Sequence, residues 1–242
     1  MKQFILFITA ILFSSLLSAQ TKKAALTITH LTGDFYVYTT YNEYKGTAVP
    51  SNGLYLVTNA GVVIIDSPWD TTQFQPLLDS IQVKHHQKAV ICIATHWHED
   101  RTAALEYYKQ KGIKTYTTKQ TDEISIQGNK KRAEFLISKD TVFQVGQYSF
   151  QTYYGGQGHT SDNIVIWFEK DKILHGGCLI KSIEATDLGY LGDANTKEWP
   201  ATIKNIQLKF KDPHFIIPGH GEWLSKESLN HTLKLLKEYK KK

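Results

Sequence analysis

Cysteine is scarce in this chain, with Cys92 and Cys178 the only two among 242 residues. That count excludes a scaffold stapled by disulfides, and a single bridge is the most it could supply. Long apolar runs are missing after the N-terminus, so no later segment is expected to cross a bilayer. No Pro- or Ser-rich stretch interrupts the sequence, which argues for one domain rather than two. Its formal charge of +5 includes the clusters Lys130-Lys131-Arg132 and Lys240-Lys241-Lys242. Neither is interleaved with aromatics, so both read as solvated helix ends or a tail, and no nucleic-acid partner is expected.

What is present is globular, since 41% hydrophobic residues can build a sizeable core. Met1-Lys2-Gln3, the apolar run Phe4 to Leu17 and Ser18-Ala19 together read as a secretory signal over residues 1–19, cleaved after Ala19. About fourteen apolar residues are too few for a membrane span. No cysteine stands near the cleavage point to take a lipid. The expectation is a secreted, periplasmic product without a membrane anchor, made of one domain over residues 20–242.

The mature chain alternates strand and helix signals. Leu26 to Tyr41 reads as two strands turning at Thr32-Gly33-Asp34, and Leu54 to Asp66 as a second hairpin turning at Asn59-Ala-Gly61. Tyr41 to Asn52 is polar and holds Gly46 and Pro50, so a loop is expected, either a flap over a pocket or a plain connector. A helix is expected over Asp70 to Val83, capped by Asp66 unless that carboxylate serves a cation instead. Further helices are expected from Thr102 to Gly112, around Lys119 to Gln127, over Thr196 to Phe210, and after Ser225 as a cap. A basic linker separates the helix around Lys119 to Gln127 from a hairpin turning at Val145-Gly146-Gln147.

The chemistry concentrates at Ala94-Thr95-His96-Trp97-His98-Glu99-Asp100-Arg101, which follows the apolar run Ala89 to Ile93. His96, His98 and Asp100 fall at i, i+2 and i+4, and share a face only on extended or turning backbone. Imidazoles with a carboxylate suit zinc better than calcium or magnesium. Gly-Gly-Gln-Gly158-His159 delivers a third imidazole before the apolar strand Ile164 to Phe168. Lys172 to Lys181 carries Cys178 after Gly-Gly, and Phe215-Ile-Ile-Pro-Gly-His220 ends another apolar strand on a histidine. Ligand-type side chains gathered at several strand ends point to a metal site. Cys92 reads as buried and inert, and Cys178 as a thiolate protected by its metal. His30, His85, His86, His175, His214 and His231 lack this context and read as structural or surface residues.

These motifs, His-Trp-His-Glu-Asp-Arg (96 to 101), Gly-His159, Gly-Gly-Cys178-Leu-Ile-Lys181, Gly-Asp-Ala-Asn195 and Pro-Gly-His220, resemble the metallo-β-lactamases. The match is to the di-zinc subclass, class B enzymes with one three-histidine site and one Asp-Cys-His site. The resemblance implies an αββα sandwich, an α/β fold of two mixed β-sheets packed face to face with helices outside. It implies two Zn2+ per chain, one held by His96, His98 and His159, the other by Asp100, Cys178 and His220. Lys181 would bind the substrate carboxylate, Asn195 would face the β-lactam carbonyl, and Asp100 and Asn195 would carry the catalytic roles. Arg101 and Asp66 would support the ligands from behind. Glyoxalase II-like hydrolases of the same fold instead place a histidine after the Asp and a bridging carboxylate in place of cysteine, so Arg101 and Cys178 favour β-lactams. The implied activity is hydrolysis of the β-lactam amide by metal-bound hydroxide, inactivating penicillins, cephalosporins and carbapenems and so giving antibiotic resistance. The implied state is a monomer.

Overall fold

The structure, a computed structural model, describes residues 26–44 and 46–241. The signal segment expected over 1–19 lies outside the described residues.

Seven strands form one mixed sheet, in the order β1 (Thr27–Thr32), β2 (Phe35–Tyr44), β3 (Thr47–Thr58), β4 (Gly61–Ile65), β5 (Ala89–Ile93), β6 (Lys114–Thr118) and β7 (Phe135–Ile137). The first four run antiparallel, and β4 to β7 pair in parallel. The second sheet has the order β12-β11-β10-β9-β8, built from β8 (Val142–Val145), β9 (Tyr148–Tyr153), β10 (Val165–Phe168), β11 (Ile173–Gly177) and β12 (Phe215–Pro218). Only β11 and β12 are parallel within it.

Alternation along each strand divides the apolar residues among three layers. Phe35, Leu54, Val63, Ile65 and Ile93 of the first sheet meet Phe150, Ile166, Phe168 and Ile217 of the second in the central layer. Tyr38, Tyr55, Val62, Ile64 and Cys92 face the other way, onto α1 (Phe74–His85) and α3 (Leu105–Gln110). Trp167, Leu174 and Ile216 face α5 (Trp199–Lys209) and α6 (Ser228–Tyr239). The result is the expected αββα sandwich. Cys92 and Cys178 are both buried free thiols, and no helix among the described residues is long and apolar enough to cross a membrane.

Several local expectations need correction. The segment Tyr41 to Asn52 supplies the ends of two strands, Tyr41 to Tyr44 and Thr47 to Asn52, because the register that begins at Phe35↔Leu56 continues through Tyr41↔Pro50 to Tyr44↔Thr47. Gly46, at φ +78°, takes the left-handed backbone of the turn. Pro50 is tolerated because its N faces the same side of β3 as that of Asn52, whose N–H points away from β2 to Gly219 O, so the β2–β3 ladder loses no bond. The basic linker contains β7, which pairs with β6 and stacks Phe135 on Tyr116. Asp66 does not cap the first helix: Asp70 accepts from the Thr72 N–H at 2.8 Å and opens a 3-10 turn, Thr71–Gln73, that leads into α1. Ser225 is not the cap of α6 either, since its hydroxyl accepts from Glu227 N and the helix begins at Ser228. A short helix, α2 (Glu99–Thr102), precedes α3, so Asp100 and Arg101 sit on helical backbone. Two acidic residues in that first turn complement the helix dipole.

Candidate metal centre

All the ligand-type residues converge at one edge of the sandwich. His96 and His98 lie in the bend that follows β5, and His98, on extended backbone, is the residue before α2. The Gly155 to Gly158 path between β9 and β10 brings His159 beside them. A Cβ on Gly158 would stand 2.4 Å from Leu179 and 3.0 Å from Trp199, so only glycine lets this turn close. His98 Nδ1 lies 3.2 Å from His96 Nε2 and 3.1 Å from His159 Nε2. A proton can serve one such N···N contact. Three ring nitrogens turned on a common point fit a cation that accepts lone pairs, and three neutral imidazoles suit zinc. Burial holds both His96 and His159 well below the usual histidine pKa, so both rings are neutral.

The second group adjoins the first. Cys178 Sγ is 3.1 Å from Asp100 Oδ2 and 3.2 Å from His220 Nε2, and His220 Nε2 is 3.1 Å from the same carboxylate oxygen. Ligand atoms of His96, Asp100 and Cys178 also fall within 4.8 Å of one another, so His96 stands between the two groups. Thiolate, carboxylate and imidazole form a donor set that suits zinc. Burial opposes ionisation of Asp100, yet Arg101 and His220 pull its carboxyl well below the usual range. His220 moves the other way: despite burial, Cys178 and Asp100 push it up to about 9 in the metal-free protein. Its Nδ1 is turned to Pro50 O at 2.6 Å, which fixes Nε2 toward the thiol. Asn52 anchors this corner, donating from its backbone N to Gly219 O and from its amide to Pro218 O and Gly221 O.

Arg101 lies beneath the second group. It donates to Asp100 Oδ2 through Nε and Nη2, to Asp66 Oδ2 and Asn52 O through Nη1, and to Gly219 O through Nη2. Lys181 is half-buried beside Cys178, its ammonium 5.4 Å from the Trp199 ring centre, and burial lowers its pKa. The amide of Asn195 is engaged at both ends, donating to Gln157 Oε1 and accepting from Glu198 N at the start of α5. Two residues of the same loop reach the histidines instead. Asp193 Oδ2 is 3.0 Å from the outer nitrogen of His98, and the exposed Tyr190 ring packs on His98 at 5.7 Å between centres. Sequence reasoning missed both; the only available signal was a carboxylate inside the Gly-Asp-Ala-Asn195 motif.

The fold and this donor set define a metal-dependent hydrolase built on paired sheets, and comparison with known proteins gives the family. The Metallo-beta-lactamase superfamily matches residues 46–220, and the chain belongs to it. It is 46% identical over 215 residues to a metallo-beta-lactamase type 2 of Elizabethkingia meningoseptica, covering 89% of this chain and 86% of that one. It is 40% identical over 230 residues to metallo-beta-lactamase IND-1 of Chryseobacterium indologenes, covering 95% and 96% respectively. Among solved structures, a metallo-beta-lactamase from Pontibacter korlensis superposes with a TM-score of 0.85 at 34% identity, over 88% of this chain and 99% of that one.

Proposed function

We propose that this chain is a zinc-dependent β-lactamase that hydrolyses the amide bond of penicillins, cephalosporins and carbapenems. It acts as a monomer exported to the periplasm, and it confers antibiotic resistance. The observation that carries the reading is the meeting of two donor sets, three imidazole nitrogens and an Asp-Cys-His group, at one sheet edge with a lysine beside them. His96, His98 and His159 would hold one zinc, and Asp100, Cys178 and His220 a second. Bound there, zinc would supply positive charge that lowers the pKa of water toward neutrality and polarises a carbonyl.

The remaining work falls to the chain itself. Lys181 offers an ammonium to the carboxylate that β-lactam antibiotics carry, and so orients the ring over the two groups. Trp199 backs that side chain. Asp193 accepts from the outer N–H of His98 and leaves Nδ1 free of a proton for its ligand role. Arg101 keeps Asp100 ionised and aimed at the second group.

The test is steady-state hydrolysis of a chromogenic cephalosporin, a penicillin and a carbapenem before and after treatment with a chelator. All three should turn over, activity should fall by at least about a hundredfold on chelation, and added zinc should restore it. Turnover that survives complete metal removal would refute the reading. Turnover of a thioester or lactone but of no β-lactam would move the chain to another branch of the family.

A further inference from the structure

His175 is a buried polar residue that the proposed mechanism leaves unused. It shares the inner face of β11 with Ile173 and stands opposite Ile166 and Ile217, fully buried within the apolar layer between the sheets. A leucine or phenylalanine would fill that layer without bringing a polar ring into it, and burying such a ring unpaired is costly. Its Nε2 is instead 2.8 Å from Asp66 Oδ2, while Nδ1 has no partner. A carboxylate only accepts, so Nε2 carries the proton.

Asp66 is the node where the two donor sets join. It follows β4 with φ +62°, a left-handed backbone that a non-glycine residue seldom adopts. Its Oδ1 accepts from Thr95 N at 2.7 Å, and its Oδ2 from Thr95 Oγ1, Arg101 Nη1 and His175 Nε2. Thr95 precedes His96 and has its hydroxyl 3.4 Å from His96 Nδ1, and Arg101 grips Asp100. His175 reaches this node from the second sheet, three residues before Cys178. A Cβ on Gly177 would lie 2.9 Å from Thr95 Oγ1, so β11 closes directly onto the same place.

We infer that His175 is a positioning residue: through Asp66 it holds the His96 and Asp100 ends of the first sheet in register with the Cys178 end of the second. The inference rests on the zinc site proposed above. Outer partners of ligands tune metal affinity by about tenfold to a hundredfold. The full chain should be compared with His175→Gln, His175→Asn and His175→Leu for zinc retained against a competing chelator and for the optical spectrum of the cobalt-loaded protein. Melting of the metal-free form is the folding control. A glutamine amide nitrogen reaches where Nε2 stands, whereas that of asparagine stops at the place of Nδ1. The Asn and Leu variants should hold zinc about tenfold more weakly and shift the cobalt spectrum, and Gln should stay within about twofold of the parent. Equal retention and spectra in all four proteins would overturn the inference, as would losses that merely follow the metal-free melting temperatures. A parent chain that takes up no zinc would refute the metal site itself, and the role of His175 with it.

Discussion

Arg101 is wholly buried, yet its guanidinium meets two carboxylates and two backbone carbonyls. Its geometry uses the fork of the side chain, which a lysine cannot reproduce. Arg101→Ala should leave Asp100 and Asp66 buried without their counter-ion and destabilise the metal-free protein by about 3–5 kcal/mol, read from urea denaturation. A loss under about 1 kcal/mol would contradict the burial of that pair. His220 gives a second test at this scale. Its pKa of about 9 without metal lies above the usual histidine value of 6.5. The metal-free protein therefore gains stability from this group below about 6.5 and loses it as pH rises through about 9. On the proposed ligand set a neutral imidazole is needed, so zinc loading at pH 7 should release the His220 proton. Calorimetric titration in buffers of different ionisation enthalpy would count it, and a buffer-independent heat would contradict the assignment.

Among the elements, α4 (Lys119–Gln127) carries a separable contribution. Thr118 accepts from Thr121 N at 3.1 Å, and its hydroxyl also meets the Thr121 hydroxyl at 2.8 Å. Thr118→Ala should cost about 1 kcal/mol in thermal unfolding while leaving zinc content unchanged. This helix was legible in the sequence, as was the turn of the β3–β4 hairpin, because each has its own period and punctuation. The harder elements are those whose cause is distant. Tyr41 to Asn52 is polar and reads as loop, but pairing already fixed at Phe35 and Leu56 extends the ladder through it. β7 exists only because β6 offers an edge to Phe135 and its neighbours. The same division runs through the site. The ligand motifs announce themselves by spacing at strand ends, whereas Asp193 meets His98, and His175 meets Asp66, across sequence separations of 95 and 109 residues.

At the scale of the molecule, the two donor sets straddle the sandwich. His96, His98 and Asp100 hang from the first sheet, and His159, Cys178 and His220 from the second. Zinc bound there would bridge layers that already share an apolar core, so the protein should fold without metal and melt higher with it. Scanning calorimetry should show a transition that climbs with free zinc, by about 2.7 kcal/mol of added stability at a hundredfold excess over the dissociation constant. A melting temperature indifferent to zinc would contradict the bridging site. The corner at Asn52 sets a limit on movement. Three hydrogen bonds bolt that residue to the turn carrying His220, and on the facing strand Gln73 clasps the backbone of Tyr41, accepting from its N–H at 3.1 Å and donating to its carbonyl at 2.9 Å. Any bending of the β2–β3 ribbon must therefore hinge outside Asn52 and Tyr41, so the turn carrying His220 stays fixed whatever the far end of the ribbon does.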